Sequence, residues 1–261
     1  MGEHGTWFDF LHRFKWWNDF YSWADGKLAR KHILTEMFPS GFTLTHCLMT
    51  LLVVLFVFWG GRAFLGGVKK DPKQGIVPPR EFSFRNMWEI IAESLYGFVE
   101  GTMGPANAAR FYPMIGALFL FVILNNAFAL LPGFSAPTDT LKTNVGIALF
   151  VFFATHYYGI KAHGVGAYLK HFMGPTPALA PLMLPIELIS HIARPLSLSV
   201  RLMGNMMADH KVVMSFFALV PLFVPVPFLL LGVLVVLIQA LVFCTLACVY
   251  IDMAMEHEEE H

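Results

Sequence analysis

The chain has 261 residues, 56% hydrophobic and 14% charged, against roughly 25% charged in an average soluble domain, which excludes an ordinary water-soluble fold. Eighteen Lys and Arg balance eighteen Asp and Glu, so net charge supplies no pull toward nucleic acid or an acidic substrate. Cys47, Cys244 and Cys248 all lie inside apolar runs, which argues against a disulfide framework and for simple packing.

In chain order, Met1-Gly2 with Thr6 matches the myristoylation pattern, but the topology derived below sets this end across the membrane from the cytoplasm. Trp7, Phe10, Leu11, Phe14, Trp17 and Tyr21 recur at helical spacing, with Asp9, His12, Arg13, Asn18 and Asp19 between them. That pattern predicts an amphipathic helix at headgroup level rather than a cleavable signal peptide. Residues 1–41 are therefore read as an aromatic interfacial segment and 42–261 as a membrane domain. A first span is predicted near 42–60. Arg62, Lys69, Lys70, Lys73, Arg80 and Arg85 follow it against only Asp71 and Glu81. The positive-inside rule then places the N-terminus outside and residues 62–85 in the cytoplasm.

Residues 84–104 carry Phe84, Trp88, Ile91, Leu95 and Phe98 on one face and Glu89, Glu93 and Glu100 elsewhere. Glutamates are costly against lipid tails, so a surface or re-entrant helix is expected. Spans near 111–131 and 145–160 come next, joined outside by the polar loop 132–144. Residues 161–180, with Lys161 and Lys170, return to the cytoplasm. The last two spans, near 182–220 and 228–255, run on without an obvious stop. A helix of 39 residues would reach about 58 Å, roughly twice the hydrocarbon core. It must tilt steeply, or kink at Pro185 and Pro195. The fold expected is all-α and polytopic: about five transmembrane helices plus amphipathic interfacial helices, the last two long and steeply tilted in a hairpin, with the C-terminus cytoplasmic. The final residues His257-Glu258-Glu259-Glu260-His261 spell H-E-x-x-H, but a helix end with no third ligand to follow reads better as a solvated acidic tail than as a metal site.

The polar residues of 182–220 are ordered. Glu187, Arg194 and Arg201 follow a seven-residue step, close to one helix face, with Ser190, Ser197 and Asn205 on or near it and His191 at its edge. An arginine at mid-membrane costs about 2.5–3.5 kcal/mol on insertion scales, so Arg201 must meet protein or water. A guanidinium stays protonated, can meet a carboxylate through two hydrogen bonds, and lowers that carboxylate's pKa. A carboxylate passing Arg201 would have to release its ion there and reload only beyond it, separating an inlet from an outlet. Glu187 lies 14 residues away, about 21 Å along a helix, too far to pair with Arg201.

These residues also carry a family likeness. The run Pro195-Leu196-Ser197-Leu198-Ser199-Val200-Arg201-Leu202-Met203-Gly204-Asn205-Met206-Met207-Ala208 closely resembles the signature of the a subunit of F-type rotary ATP synthases. Pro185-Ile186-Glu187-Leu188-Ile189-Ser190, Gln239-Ala240-Leu241-Val242-Phe243 and Asn126 shortly before Leu130-Leu131-Pro132 extend it. The resemblance covers roughly residues 40–255. It implies that Arg201 faces the carboxylates of a rotating c-ring, with Gln239 near it on the partner helix. Glu187 and Ser190 would line a half-channel to the cytoplasm, and Asn126 and His210 one from the outside. His210 is nine residues from Arg201, about 180° around the helix, which suits a titrating group behind the ring-facing stripe. Asn205 falls near the stripe itself. The implied partners are the c-ring, peripheral-stalk b subunits and lipid, in a bacterial plasma membrane.

Three positions depart from the family pattern. Asp209 precedes His210 where relatives often have glycine; Gly232 stands seven residues before Gln239 where they often have histidine or glutamate; Ala129 replaces an acid seen in some. Asp209 either joins the outer pathway or pairs with Lys211, so Asp209 or water is the candidate stand-in for the missing outer titrating group. No G-x-x-x-x-G-K-[ST] loop is present, so no nucleotide is expected on this chain, and no cofactor. Two other readings are weaker. An intramembrane hydrolase or transferase using His191 and His210 lacks an activated nucleophile or metal triad. A self-contained secondary transporter would show matching internal repeats, and none is visible.

Overall fold

The computed structural model describes residues 15–28, 44–70, 84–130, 137–171, 180–219 and 225–255. Among them, seven α-helices and one 3-10 turn account for nearly every residue, and there is no strand. The N-terminal myristoylation match, Trp7 to Phe14 and the terminal H-E-x-x-H run lie outside the described residues. By length and composition alone, four helices suffice to cross a membrane: Leu44–Arg62, Asn86–Phe128, Leu141–His163 and Val226–Met255. The helix Ala180–Leu219 has 40 residues, ample for a span, but it carries the charges of the polar stripe. The chain packs as two compact units, one from Met1–Arg30, Thr43–Pro137 and Val236–Cys244, the other from Lys31–Phe42, Thr138–Val235 and Thr245–His261.

In the first unit, α1 (Lys15–Leu28) leans on the start of α2 (Leu44–Lys70). Trp17, Ala24 and Leu44 are buried together against Tyr21, Cys47 and Leu48, and the hydroxyls of Tyr21 and Thr45 lie 3.3 Å apart. The opposite face of α1 leaves Trp16, Phe20 and Trp23 65%, 44% and 59% exposed. Helix α3 (Phe84–Ala129) is broken at Gly104, where φ is 75° and ψ is 162°. That region is open essentially to glycine alone, and Pro105 follows directly. The break reverses the chain. Tyr112 Oη donates to the Ala92 carbonyl at 3.1 Å, and the rings of Tyr96 and Tyr112 are 5.4 Å apart. On a straight helix, residues 20 apart would be separated by about 30 Å. The stretch 84–104 is therefore the first arm of a helical hairpin whose second arm holds the apolar span. Val99, Phe111, Ile115 and Val122 are buried in this unit. An added Cβ at Gly104 would meet nothing within 4 Å, so a substitution there is felt through the backbone only. Gly104→Ala is expected to lower stability by about 1–3 kcal/mol, measured as an earlier thermal unfolding transition in detergent.

In the second unit, α4 (Leu141–His163) packs along α6 (Ala180–Leu219). The short α5 (Val165–His171) folds back on α4 at Gly164, whose φ of 80° and ψ of 158° again need glycine. Gly164 N–H donates to Ile160 O at 2.8 Å, and Tyr168 N–H to Gly164 O at 3.0 Å. Where α4 begins, Thr138, Thr140 and Asn144 are buried, and Asn144 Nδ2 donates to Thr138 O at 2.7 Å. Helix α6 is helical through both Pro185 and Pro195; Ser199 Oγ, four residues beyond Pro195, donates to that proline's carbonyl at 2.7 Å. Helix α7 (Pro225–Met255) is the most apolar of the set. Its residues 236–244 belong to the first unit and its two ends to the second. Cys244 and Cys248 are fully buried on it.

Candidate functional site

Helix α6 buries one side and presents the other. Leu198, Ser199, Leu202, Met203 and Met206 are buried, whereas Ala193, Ser197, Val200, Arg201, Gly204, Asn205 and Ala208 are exposed. The exposed residues recur every three or four positions, as one face of a helix must. Arg201 therefore stands on an outward stripe whose neighbours are mostly small. Among the described residues no carboxylate pairs with it.

The other predicted positions on α6 separate into two places. Toward its start, Glu187 Oε1 lies 3.2 Å from His191 Nε2, with the His191 side chain 12% exposed and that of Glu187 38%. Ser190 is half-buried beside them. Arg194 turns inward and sets its guanidinium 5.2 Å from the centre of the Tyr250 ring, a cation–π geometry. Toward the end of the helix, Asp209 and His210 are both half-buried and Asn205 is exposed. The seven-residue step thus does not keep Glu187, Arg194 and Arg201 in one environment. Such a step drifts by about 20° per heptad on a straight helix, and long side chains reach to either side of their Cα.

In the first unit, Asn126 on α3 and Gln239 on α7 are buried. Asn125, next to Asn126, is fully buried as well and donates from Nδ2 to Phe121 O at 2.6 Å. Farther along α7, the Cys244 thiol points to the Ile115 carbonyl at 3.9 Å.

His156 is not among the candidate residues that the helical spacing or the family likeness singles out. It is half-buried on α4, with its ring centre 5.1 Å from that of His191 and 6.0 Å from that of Tyr168. Its Nδ1 lies 2.8 Å from the Phe152 carbonyl; a carbonyl only accepts, so Nδ1 carries the proton and Nε2 is the acceptor nitrogen of the neutral ring. His156, His191, Arg194 and Tyr250 line one cavity together with Ala148, Val151, Phe152, Thr155, Pro195 and Leu198. It has room for about one water molecule. Tyr168 is buried, and burial raises its phenol above the ordinary tyrosine value; Arg194 opposes that rise and Glu187 adds to it. The phenol thus stays neutral beside the cluster.

Residues 43–252 match the family model described as ATP synthase A chain. A chain of Sorangium cellulosum named ATP synthase subunit a is 41% identical over 211 residues, covering 81% of this chain and 82% of its own. One of Syntrophotalea carbinolica, named ATP synthase subunit a 2, is 46% identical over 190 residues, or 73% and 79% of the two chains. Another from Geobacter sulfurreducens, named ATP synthase subunit a, is 49% identical over 172 residues, 66% and 74%. A match across four-fifths of the chain, together with an all-helical fold that keeps an arginine on the open face of a 40-residue helix, leaves one assignment: the chain belongs to the ATP synthase A chain family, the a subunits of F-type ATP synthases.

Proposed function

We propose that this chain carries protons, or sodium ions, through two offset half-channels to and from a c-ring of a rotary ATP synthase, without catalysing a reaction itself. Arg201 is the fixed cation that each ring carboxylate must pass. Glu187 and Ser190 serve the cytoplasmic half-channel. Asn126, His210 and Asp209 serve the outer one, Asp209 standing in for the titrating group that Gly232 does not supply. Asn205 and Gln239 support the arginine's surroundings. The observation that carries this reading is the exposed position of Arg201 among small neighbours. A guanidinium cannot rest in lipid without a cost of several kcal/mol, so the face that holds it is made for another protein. Ala193, Ser197, Gly204 and Ala208 let a partner helix come close, as small residues do between membrane helices.

The reading extends to the rest of the chain. The chain sits in a bacterial plasma membrane with its N-terminus outside and its C-terminus in the cytoplasm, and b subunits hold it still. Helix α1 turns Trp16, Phe20 and Trp23 to the lipid headgroups, where such rings are favoured. The test is a photo-crosslinking residue at Gly204 in the assembled complex. It should capture the small ring subunit in high yield, whereas the same residue at Leu51, on an exposed face of α2, should not. Equal capture from both positions, or none from Gly204, rejects the proposal.

A further inference from the structure

We propose that His191 and His156 form a branch of the inner proton path, relaying protons between Glu187 and the end of α4 through the packed interior of the second unit. This rests on the reading of Glu187 given above and adds two residues to it. Three acid–base groups lie in sequence: Glu187 pairs with His191 at 3.2 Å, and the His191 and His156 rings stand 5.1 Å apart at 66°. Both imidazoles open on the same cavity, which has room for about one water molecule. Carbon makes up most of its wall, so a water there is held by the few nitrogens that reach it. Proton transfer works over direct hydrogen bonds or through one intervening water, and these spacings fit that range.

An imidazole takes a proton at one nitrogen and yields one from the other, which makes it a natural relay. Glu187 in its acid form gives its proton to His191, leaving carboxylate and imidazolium. The imidazolium then passes a proton to Nε2 of His156 and returns to neutral; the Phe152 carbonyl cannot take the Nδ1 proton, so His156 gives the transferred proton up again from Nε2, to water in the cavity. The groups facing this pair are Glu187 and Arg194 on α6, Tyr168 on α5 and Tyr250 on α7. Arg194 is permanently charged, and its repulsion favours at most one extra proton on the two imidazoles. That suits a carrier of single protons better than a store of several. The Phe152 carbonyl fixes the tautomer of His156, as an orienting partner does for a working histidine.

The test uses the whole complex in proteoliposomes, with ATP-driven proton pumping measured between pH 5.5 and 8.5 on the side that Glu187 serves. His156→Phe keeps a ring of similar shape and removes the nitrogens; His191→Gln keeps a donor to Glu187 and removes the titration. Water can bypass a branch, so each should slow pumping by about threefold to tenfold, less than the loss of an obligatory acid–base group. The pH profile should also change shape, because each variant takes an acid–base group out of the path. Unchanged rates and profiles in both variants, with Glu187→Gln still slow, overturn the relay and leave the half-channel reading standing. Slower pumping with an unshifted profile also overturns it, because mere packing then explains the loss. Full-speed pumping in Glu187→Gln rejects the inner-path role of that residue, and the branch with it.

Discussion

Arg201→Ala is expected to remove gradient-driven ATP synthesis, with at least a hundredfold loss, equivalent to about 2.7 kcal/mol or more in the coupled step. On the mechanism proposed above, the physical reason is a change of sign in what the ring carboxylate prefers. Beside a guanidinium it is held ionised, because the opposite charge lowers its pKa; without one, it crosses in its protonated form. The two proposed half-channels would then communicate through a loaded ring, and the roughly 2.3 kcal/mol that each charge yields per 100 mV would no longer be tied to rotation. Arg201→Lys should also fall far short of wild type, since an ammonium lacks the planar fork that meets both carboxylate oxygens. Failed folding is not the expected confounder. Mid-membrane arginine costs about 2.5–3.5 kcal/mol on insertion scales, so alanine should insert at least as well. The measurement is ATP synthesis under an imposed gradient, with ATP hydrolysis by the head as the control for assembly. Preserved synthesis in Arg201→Ala would refute the fixed-cation mechanism.

Much of this could be read from the residues because the lipid environment leaves few options. Apolar runs can cross only as helices, so the helical class followed from composition, and the step from Glu187 to Arg201 marked the polar helix. The break at Gly104 was harder to see. A glycine followed by proline signals a turn, but nothing local says that Tyr112 will come back to the Ala92 carbonyl. His156 was missed for a related reason. Periodicity ranks residues along one helix, whereas the significance of His156 comes from its partner across α4 and α6. A signal did exist. Helices α4 and α6 are neighbours that pack along each other, so residues shortly before the end of one and shortly after the start of the other lie at similar depth. His156 and His191 satisfy that condition, and two histidines at one level of a membrane merit pairing before either is assigned to the interface.

Gly159 on α4 is expected to reject any side chain larger than alanine. A Cβ at that position would lie 2.6 Å from Tyr168 Cε2 and 3.1 Å from the Ala254 carbonyl oxygen. Neither neighbour yields easily, the first being part of a rigid, buried ring and the second the backbone of α7. Relief would require α5 to lift or the end of α7 to shift, and α5 is held by the tight reversal at Gly164. Overpacking of this kind costs about 1–3 kcal/mol for one or two added carbons. Helix propensity works the other way, since alanine is better than glycine by about 0.8–1.0 kcal/mol in a helix interior. Gly159→Ala should therefore be near neutral to moderately destabilising, and Gly159→Leu strongly so, with loss of the complex at growth temperature. Gly146 on the same helix provides the control. A Cβ there meets nothing within 4 Å, so Gly146→Ala gains the propensity without the clash and should raise thermal stability. Opposite signs for the two substitutions, measured by unfolding of the purified complex in detergent, would establish that close approach at Gly159 seats Tyr168 against His156. Stabilisation by Gly159→Ala equal to that by Gly146→Ala would refute it.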